Sequence, residues 1–135
     1  MERRFINPLE LSVPTNYSHV AIASAGRTVY VSGQIALDST GRVVGKDDLH
    51  AQAAQVYENL KAALGAAGAS FADVIKMTTY VVALDPGRAQ VVRDVRAQYL
   101  PAGHKPASTM VGVTSLVNPD LLVEVEVVAA LADRR

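Results

Sequence analysis

The chain has 135 residues, half of them hydrophobic, which is typical of a folded domain with its own core. Its 13 basic and 13 acidic residues give a formal net charge of zero, which argues against a protein that binds a nucleic-acid backbone through a basic face. The absence of cysteine excludes disulfides, thiol nucleophiles and thiolate metal sites. The first residues lack the apolar core of a signal peptide, and no apolar run is long enough to cross a bilayer. We therefore expect one domain spanning residues 1–135, located in the cytoplasm, with no membrane partner.

The first half of the chain predicts two strands followed by a helix. Residues 1–16 show no lasting period, so we interpret them as an irregular lead-in. Residues 19–23 and 28–32 have the composition of strands. Asp47 or Asp48 is a suitable helix cap, and small or apolar residues then recur at three- and four-residue steps as far as Ala67. Gly68 is well placed to end this helix.

The second half predicts a strand, a helix and two more strands. Residues 74–82 form the longest central strand, and Pro86 begins a helix that runs to about Tyr99. Residues 109–116 and 121–131 are the last two strands, expected to form a hairpin or to be close neighbours in one sheet. The resulting order, β-β-α-β-α-β-β, predicts an α+β fold with a mixed sheet and two helices packed on one face.

The last strand has two different faces because strand side chains alternate. Its apolar face carries Val123, Val125, Val127, Ala129 and Leu131. Its mixed face carries Glu124 and Glu126 between apolar neighbours, and Thr78 and Tyr80 of the central strand are expected beside them. Such a face is too apolar for free exposure and too polar for an internal core, which indicates a symmetric oligomer.

A search for standard catalytic and metal-binding motifs finds none. His19, His50 and His104 are scattered, with no pair at metal-ligand spacing on a helix, so we expect no metal site. The chain has no nucleophile elbow, P-loop or dinucleotide fingerprint, so we expect no cofactor. Glu124 and Glu126 are the best polar candidates. They are either solvated carboxylates or carboxylates at a pocket wall, able to position water or accept a proton.

Several segments together resemble one known family. Lys105-Pro106-Ala107-Ser108-Thr109, an apolar strand, Leu116 and the Val-Glu-Val-Glu strand resemble the C-terminal signature of the RidA/YjgF family. The segments 31–35, 59–68 and 73–79 resemble the family's Ser-Gly-Gln segment, first helix and central strand, in order and at the expected spacing. The resemblance covers nearly the whole chain. It implies a RidA-like, chorismate-mutase-like fold and a homotrimer with a small-molecule pocket at each subunit interface.

The resemblance also implies roles for individual residues. Glu124 matches the first glutamate of the signature strand and is the candidate catalytic residue. Tyr17, Ser32 and the Gly33 backbone match residues that line the ligand pocket. Arg93 lies near a polar pocket position of the family, although a solvated helix charge is the simpler interpretation of this residue.

One position departs from the family pattern. Catalytic members carry an arginine directly after Pro-Ala, where this chain has Ser108, and that arginine binds the substrate carboxylate through two parallel N–H donors. Lys105, His104 or Arg93 could supply the missing charge from a nearby position. Alternatively, the ligand lacks a carboxylate and Ser108 and Thr109 form a neutral pocket, or the pocket binds without catalysing.

Three functional hypotheses follow. The first is hydrolysis or deamination of a small imine, enamine or related reactive metabolite, with a specificity altered by Ser108. The second is a non-catalytic small-molecule binder, sensor or protective protein on the same scaffold. The third is a ribonuclease or translation inhibitor, which the zero net charge and the absence of tryptophan disfavour.

Overall fold

The computed structural model describes residues 1–24 and 26–133. Its strands are β1 (Arg3–Ile6), β2 (Val20–Ala23), β3 (Arg27–Gln34), β4 (Val74–Val82), β5 (Ala107–Val113) and β6 (Val123–Leu131). Its helices are α1 (Leu49–Ala66) and α2 (Pro86–Ala97), with a short 3-10 turn at Phe71–Asp73 before β4. The α+β class and the two predicted helices are confirmed.

The N-terminal lead-in is the first difference from the sequence analysis. We expected residues 1–16 to be irregular, but β1 pairs antiparallel with β2, from Arg3 opposite Ala23 to Ile6 opposite Val20. The Arg3 guanidinium also donates to the carboxylate of Asp73 and to the carbonyl of Ala130. Four residues are too few to show a period, and long-range contacts define this strand.

Both helices begin where the local sequence indicates and α1 also ends there, whereas α2 ends at Ala97, two residues before the predicted Tyr99. Asp48 caps α1 by accepting from the backbone N–H of Ala51. Gly68 has a φ of +76°, a left-handed conformation that glycine adopts without strain, just beyond the end of α1. Asp85 caps α2 through the N–H of Arg88, and Pro86 occupies the first turn, where no N–H is needed.

The main sheet has four strands in the order β3-β6-β4-β5. β6 is antiparallel to both β3 and β4, whereas β5 is parallel to β4 and is connected to it through α2. The expected hairpin of the last two strands is therefore wrong: they share a sheet, but β4 lies between them. A parallel pair needs a crossover connection, and α2 provides it.

The core lies between the sheet and the helices. The predicted apolar face of β6 is fully buried, with Val123, Val125 and Ala129 at 0% exposure. It packs with the buried side chains of α1, among them Val56 and Leu60. The alternation along β6 is therefore as predicted, and its other face carries the glutamates.

A buried glutamine connects α1 to the start of β6. Gln52 donates to the carbonyls of Gly45 and Asp120, and its side-chain oxygen accepts from the N–H of Leu122. All three bonds are 2.8–3.0 Å long and the side chain is fully buried. Gln52 therefore fixes the backbone immediately before the strand that carries Glu124.

Candidate functional site

Two carboxylates lie on the outer face of the sheet, away from the helices. Antiparallel pairing sets Glu124 opposite Tyr80 and Glu126 opposite Thr78. The Tyr80 hydroxyl donates to Glu126 Oε1 at 2.7 Å. This bond is the largest of the causes that raise the pKa of Tyr80 above its usual range. Glu126 is thus engaged with a neighbour on the same sheet face.

Glu124 lies against a glycine. The register between β3 and β6 shifts between Val31 and Gln34, and Gly33 lies within this irregularity. A Cβ atom built on Gly33 would lie 2.7 Å from Glu124 Cδ and 2.9 Å from its Cγ. Since real Cβ atoms do not approach so closely, only glycine lets the carboxylate rest against the β3 backbone.

This position changes the acidity of Glu124. Partial burial, and then the nearby negative charge of Glu126, raise the pKa of Glu124 above its ordinary value. A carboxyl group with a raised pKa holds and releases a proton closer to neutral pH. Glu124 is therefore chemically suited to general acid–base work.

Ser32 and Thr109 lie on the same outer face of the sheet, on β3 and β5. Ser32 is exposed on β3 and lines a surface concavity of about 370 Å³ together with Thr78 and Glu126. The hydroxyl of Thr109 accepts from Lys76 Nζ at 2.9 Å on the same outer face. Ser108, one residue earlier, occurs opposite the buried Met77 and faces the helices. Consecutive strand residues point to opposite faces, so Ser108 and Thr109 do not share one pocket.

Tyr17, Arg93 and Ser108 come together on the helix side of β5. They line a cavity of about 160 Å³ together with Thr15, Asn16, Arg96 and Met110. Ser18 anchors the N-terminal wall, since its N–H donates to the carbonyl of Pro106 and its hydroxyl to that of Lys105. Arg93 and Arg96 reach the cavity from α2.

Arg96 is a site residue that the sequence analysis missed. Its Nη1 lies 3.4 Å from Ser108 Oγ, and the residue is only 7% exposed. Burial is the main cause that lowers its pKa, and Arg93 acts in the same direction. The available signal was helical spacing: Arg96 follows the core residue Val92 by four positions and therefore lies on the buried face of α2.

The other proposed substitutes for the missing arginine lie in a neighbouring groove. His104 and Lys105 line a space of about 260 Å³ that Arg93 and Arg96 also border. His104 Nε2 donates to the carbonyl of Val74 at 2.8 Å, and its ring packs edge-on against Phe5. His104 is therefore occupied in joining the chain before β5 to the start of β4.

The described residues contain no group of three or more His, Asp or Glu side chains placed to hold a metal ion. Across the same residues, no helix is both long enough and apolar enough to cross a membrane.

Comparisons with known proteins agree with this architecture. A family model described as Endoribonuclease L-PSP matches residues 9–131. A RutC family protein of Pyrococcus horikoshii is 42% identical over 106 residues, which are 78% of this chain and 80% of that protein. A RutC family protein of Synechocystis is 33% identical over 132 residues, covering 97% of this chain and 98% of the relative.

Solved structures show the same fold. A Rid family protein of Yersinia pestis superposes with a TM-score of 0.81 at 38% identity and covers 97% of this chain and 100% of its own. RidA from an Antarctic Psychrobacter species superposes with a TM-score of 0.69 at 32% identity, covering 89% and 92%. The sequence match and the shared fold together identify the chain as a member of the RidA/YjgF family.

Proposed function

We propose that this protein hydrolyses or deaminates a small imine, enamine or related reactive metabolite, using Glu124 as the acid–base group. The observation that carries the proposal is the position of the Glu124 carboxylate, half-buried against Gly33 with a raised pKa. The general role of the family in small-molecule binding or deamination supports it. The proposal includes one domain over residues 1–135 and a cytoplasmic location.

The chemistry requires one water molecule. The water oxygen adds to the imine carbon, the nitrogen takes up protons, and the carbon–nitrogen bond breaks to release ammonia and a carbonyl compound. A carboxylate with a raised pKa accepts a proton from the attacking water and returns one to the departing nitrogen. Glu124 suits both steps, whereas Glu126 already accepts from Tyr80.

We propose further that the site is completed by a homotrimer. On the outer face, Gly33 lies against Glu124 and Ser32 lines a concavity with Glu126, whereas Tyr17, Arg93 and Ser108 line the cavity at β5. Glu124 on β6 is separated from β5 by two strand spacings, or roughly 10 Å, and lies on the face of the sheet opposite Ser108. A small molecule cannot contact both clusters in one chain, so a neighbouring subunit has to supply one of them. The side chain of Tyr30, 79% exposed on the outer face, is available for such a contact.

The activity test uses 2-iminopropionate generated in place by an amino acid oxidase. We expect native protein to accelerate ammonia release over the uncatalysed rate, and Glu124→Gln to lower the catalysed rate about a hundredfold or more. Glu126→Gln is the matched control on the same strand face and should retain most of the activity. Equal rates for native protein and Glu124→Gln would remove Glu124 from the mechanism.

The assembly test is sedimentation at micromolar concentration. A trimer supports the shared site, whereas a monomer that still hydrolyses the imine would contradict it.

Two other functions have their own tests. Binding without turnover is favoured by Ser108, which replaces the signature arginine, and a ligand that raises thermal stability without being consumed would support it. Ribonuclease activity is the third possibility, and the zero formal net charge argues against it. Salt-dependent RNA binding would support the ribonuclease hypothesis, and its absence would exclude it.

A further inference from the structure

The guanidinium of Arg96 is buried without a counter-charge. Within residues 1–24 and 26–133, no carboxylate lies within ion-pair distance of it. Its one side-chain hydrogen bond, to Ser108 Oγ at 3.4 Å, is longer than the usual N–H···O range. A guanidinium carries five N–H donors, and a buried charge is costly unless it is paired and hydrogen-bonded. The remaining N–H donors of Arg96 are not among the fully buried unpartnered atoms, so they are open to solvent at the adjoining cavity.

The cavity beside Arg96 can hold an anion. Arg93 lines it as a second cation, and Thr15, Tyr17 and Ser108 contribute hydroxyl groups. In the described part of the chain, no acidic residue lines this cavity. Asp94 borders the neighbouring groove instead and accepts from the amide of Gln90. The local charge is thus positive although the whole chain is neutral.

The volume limits the size of the anion. A cavity of about 150 Å³ is large enough to hold benzene, a ligand of about six heavy atoms. The 160 Å³ beside Arg96 therefore accommodates a small carboxylate of similar size.

We propose that Arg96, reaching from α2, binds the carboxylate of the ligand in this cavity, with Arg93 as the second cation and Ser108 orienting the Arg96 guanidinium. This inference rests on the proposed function and names its substrate class: a small molecule that carries a carboxylate. The side chain of Ser108 is small, so the Arg96 guanidinium has room beside it. An arginine at both positions would bring two positive charges together.

The binding test uses pyruvate, a stable 2-oxo acid, and its neutral amide 2-oxopropanamide, each titrated calorimetrically into the full-length protein. We expect pyruvate to bind more tightly than the amide. Arg96→Gln should weaken pyruvate binding at least tenfold and change amide binding less than twofold. Arg96→Lys should recover only part of the affinity, because an ammonium lacks the two parallel donors. Arg42→Gln, an exposed arginine away from the cavity, is the matched control and should bind both ligands like native protein.

Moving the arginine from position 96 to position 108 tests the same idea, and this test does not depend on whether Arg96→Gln folds. Ser108→Arg alone should weaken pyruvate binding, because a second guanidinium is forced against Arg96. Ser108→Arg combined with Arg96→Ala should restore it to within about threefold of native affinity. Tighter pyruvate binding by Ser108→Arg alone, or native-like binding by folded Arg96→Gln, would overturn the proposal.

The binding results are separable from catalysis. Arg96-dependent pyruvate binding without imine turnover would leave the carboxylate site standing and remove the hydrolase function. Imine turnover together with pyruvate binding that does not depend on Arg96 would support the hydrolase function and remove the carboxylate site.

Discussion

The acid on the outer sheet face and the cations beside β5 are built in different ways. Glu124 is placed by strand alternation and by a glycine on the adjacent strand, which are local features of β6 and β3. Arg96 is placed by α2, which packs against α1 and brings the Arg96 guanidinium to Ser108 on β5. The comparison teaches that one half of the candidate site follows from local pattern and the other from tertiary packing.

The largest expected effect is on stability, through Gln52, which holds the backbone at the start of the strand that carries Glu124. Gln52→Leu leaves the carbonyls of Gly45 and Asp120 and the N–H of Leu122 without their buried partner. At about 1 kcal/mol for each lost bond, we expect the free energy of unfolding to fall by about 3 kcal/mol in urea denaturation.

Gln55→Leu is the matched control for Gln52→Leu. Among the described residues, the Gln55 side chain bonds only with Asn59 on the same helix, so its loss should cost about 0.5 kcal/mol or less. Equal losses for the two variants would show that Gln52 does not hold the start of β6.

The second effect is on catalysis through Gly33. Gly33→Ala forces the Glu124 side chain to move, since the new Cβ would lie 2.9 Å from Glu124 Cγ. We expect the catalysed rate of imine hydrolysis to fall about tenfold, the scale on which misplacement of an acid–base group acts. Circular dichroism should show an unchanged fold.

Gly65→Ala provides the control for Gly33→Ala. An added Cβ at Gly65 in α1 has no neighbour within 4 Å, so this variant should gain roughly 0.5–1 kcal/mol of stability. Its hydrolysis rate should equal the native rate. Unchanged activity in Gly33→Ala would contradict the close fit of Glu124 against β3.

The smallest effect is a pH dependence of stability. Since the pKa of Glu124 is higher in the folded than in the unfolded chain, its stabilising contribution is present below the unfolded pKa and is lost as pH rises through the folded value. Glu124→Gln should therefore be more stable than native protein at neutral pH, and this difference should shrink as the pH falls through the raised folded pKa and disappear below the ordinary value of 4.5. Denaturation of both proteins at several pH values measures it. A difference that grows on acidification would reverse the sign assigned to Glu124.

Much of the fold was predictable because strands and helices have short side-chain periodicities and recognisable residues at their ends. The strand Val74–Val82 and the start of α2 at Pro86 are as predicted, and α1 ends just before Gly68. The strand order could not be predicted, because the position of β6 between β3 and β4 depends on pairings between residues far apart in the chain. β1 escaped notice for the same reason.

The candidate site divides in a similar way. Register and alternation predicted that Glu124 and Glu126 share a face with Tyr80 and Thr78. From the sequence, Arg93, Lys105 and His104 were the candidates to replace the missing arginine, but Arg96 is the residue that donates to Ser108. The spacing of Arg96 from Val92 places Arg96 on the buried face of α2, but arginine is rarely expected on such a face.

The strand order also has a consequence for biosynthesis. β6 is the last of the strands to leave the ribosome, yet it belongs between β3 and β4, which are made earlier. Until it arrives, both neighbours present unpaired backbone edges that can associate with other nascent chains. The sheet is therefore completed only after β6 has emerged, and chaperones that shield exposed strand edges have most to protect before that point.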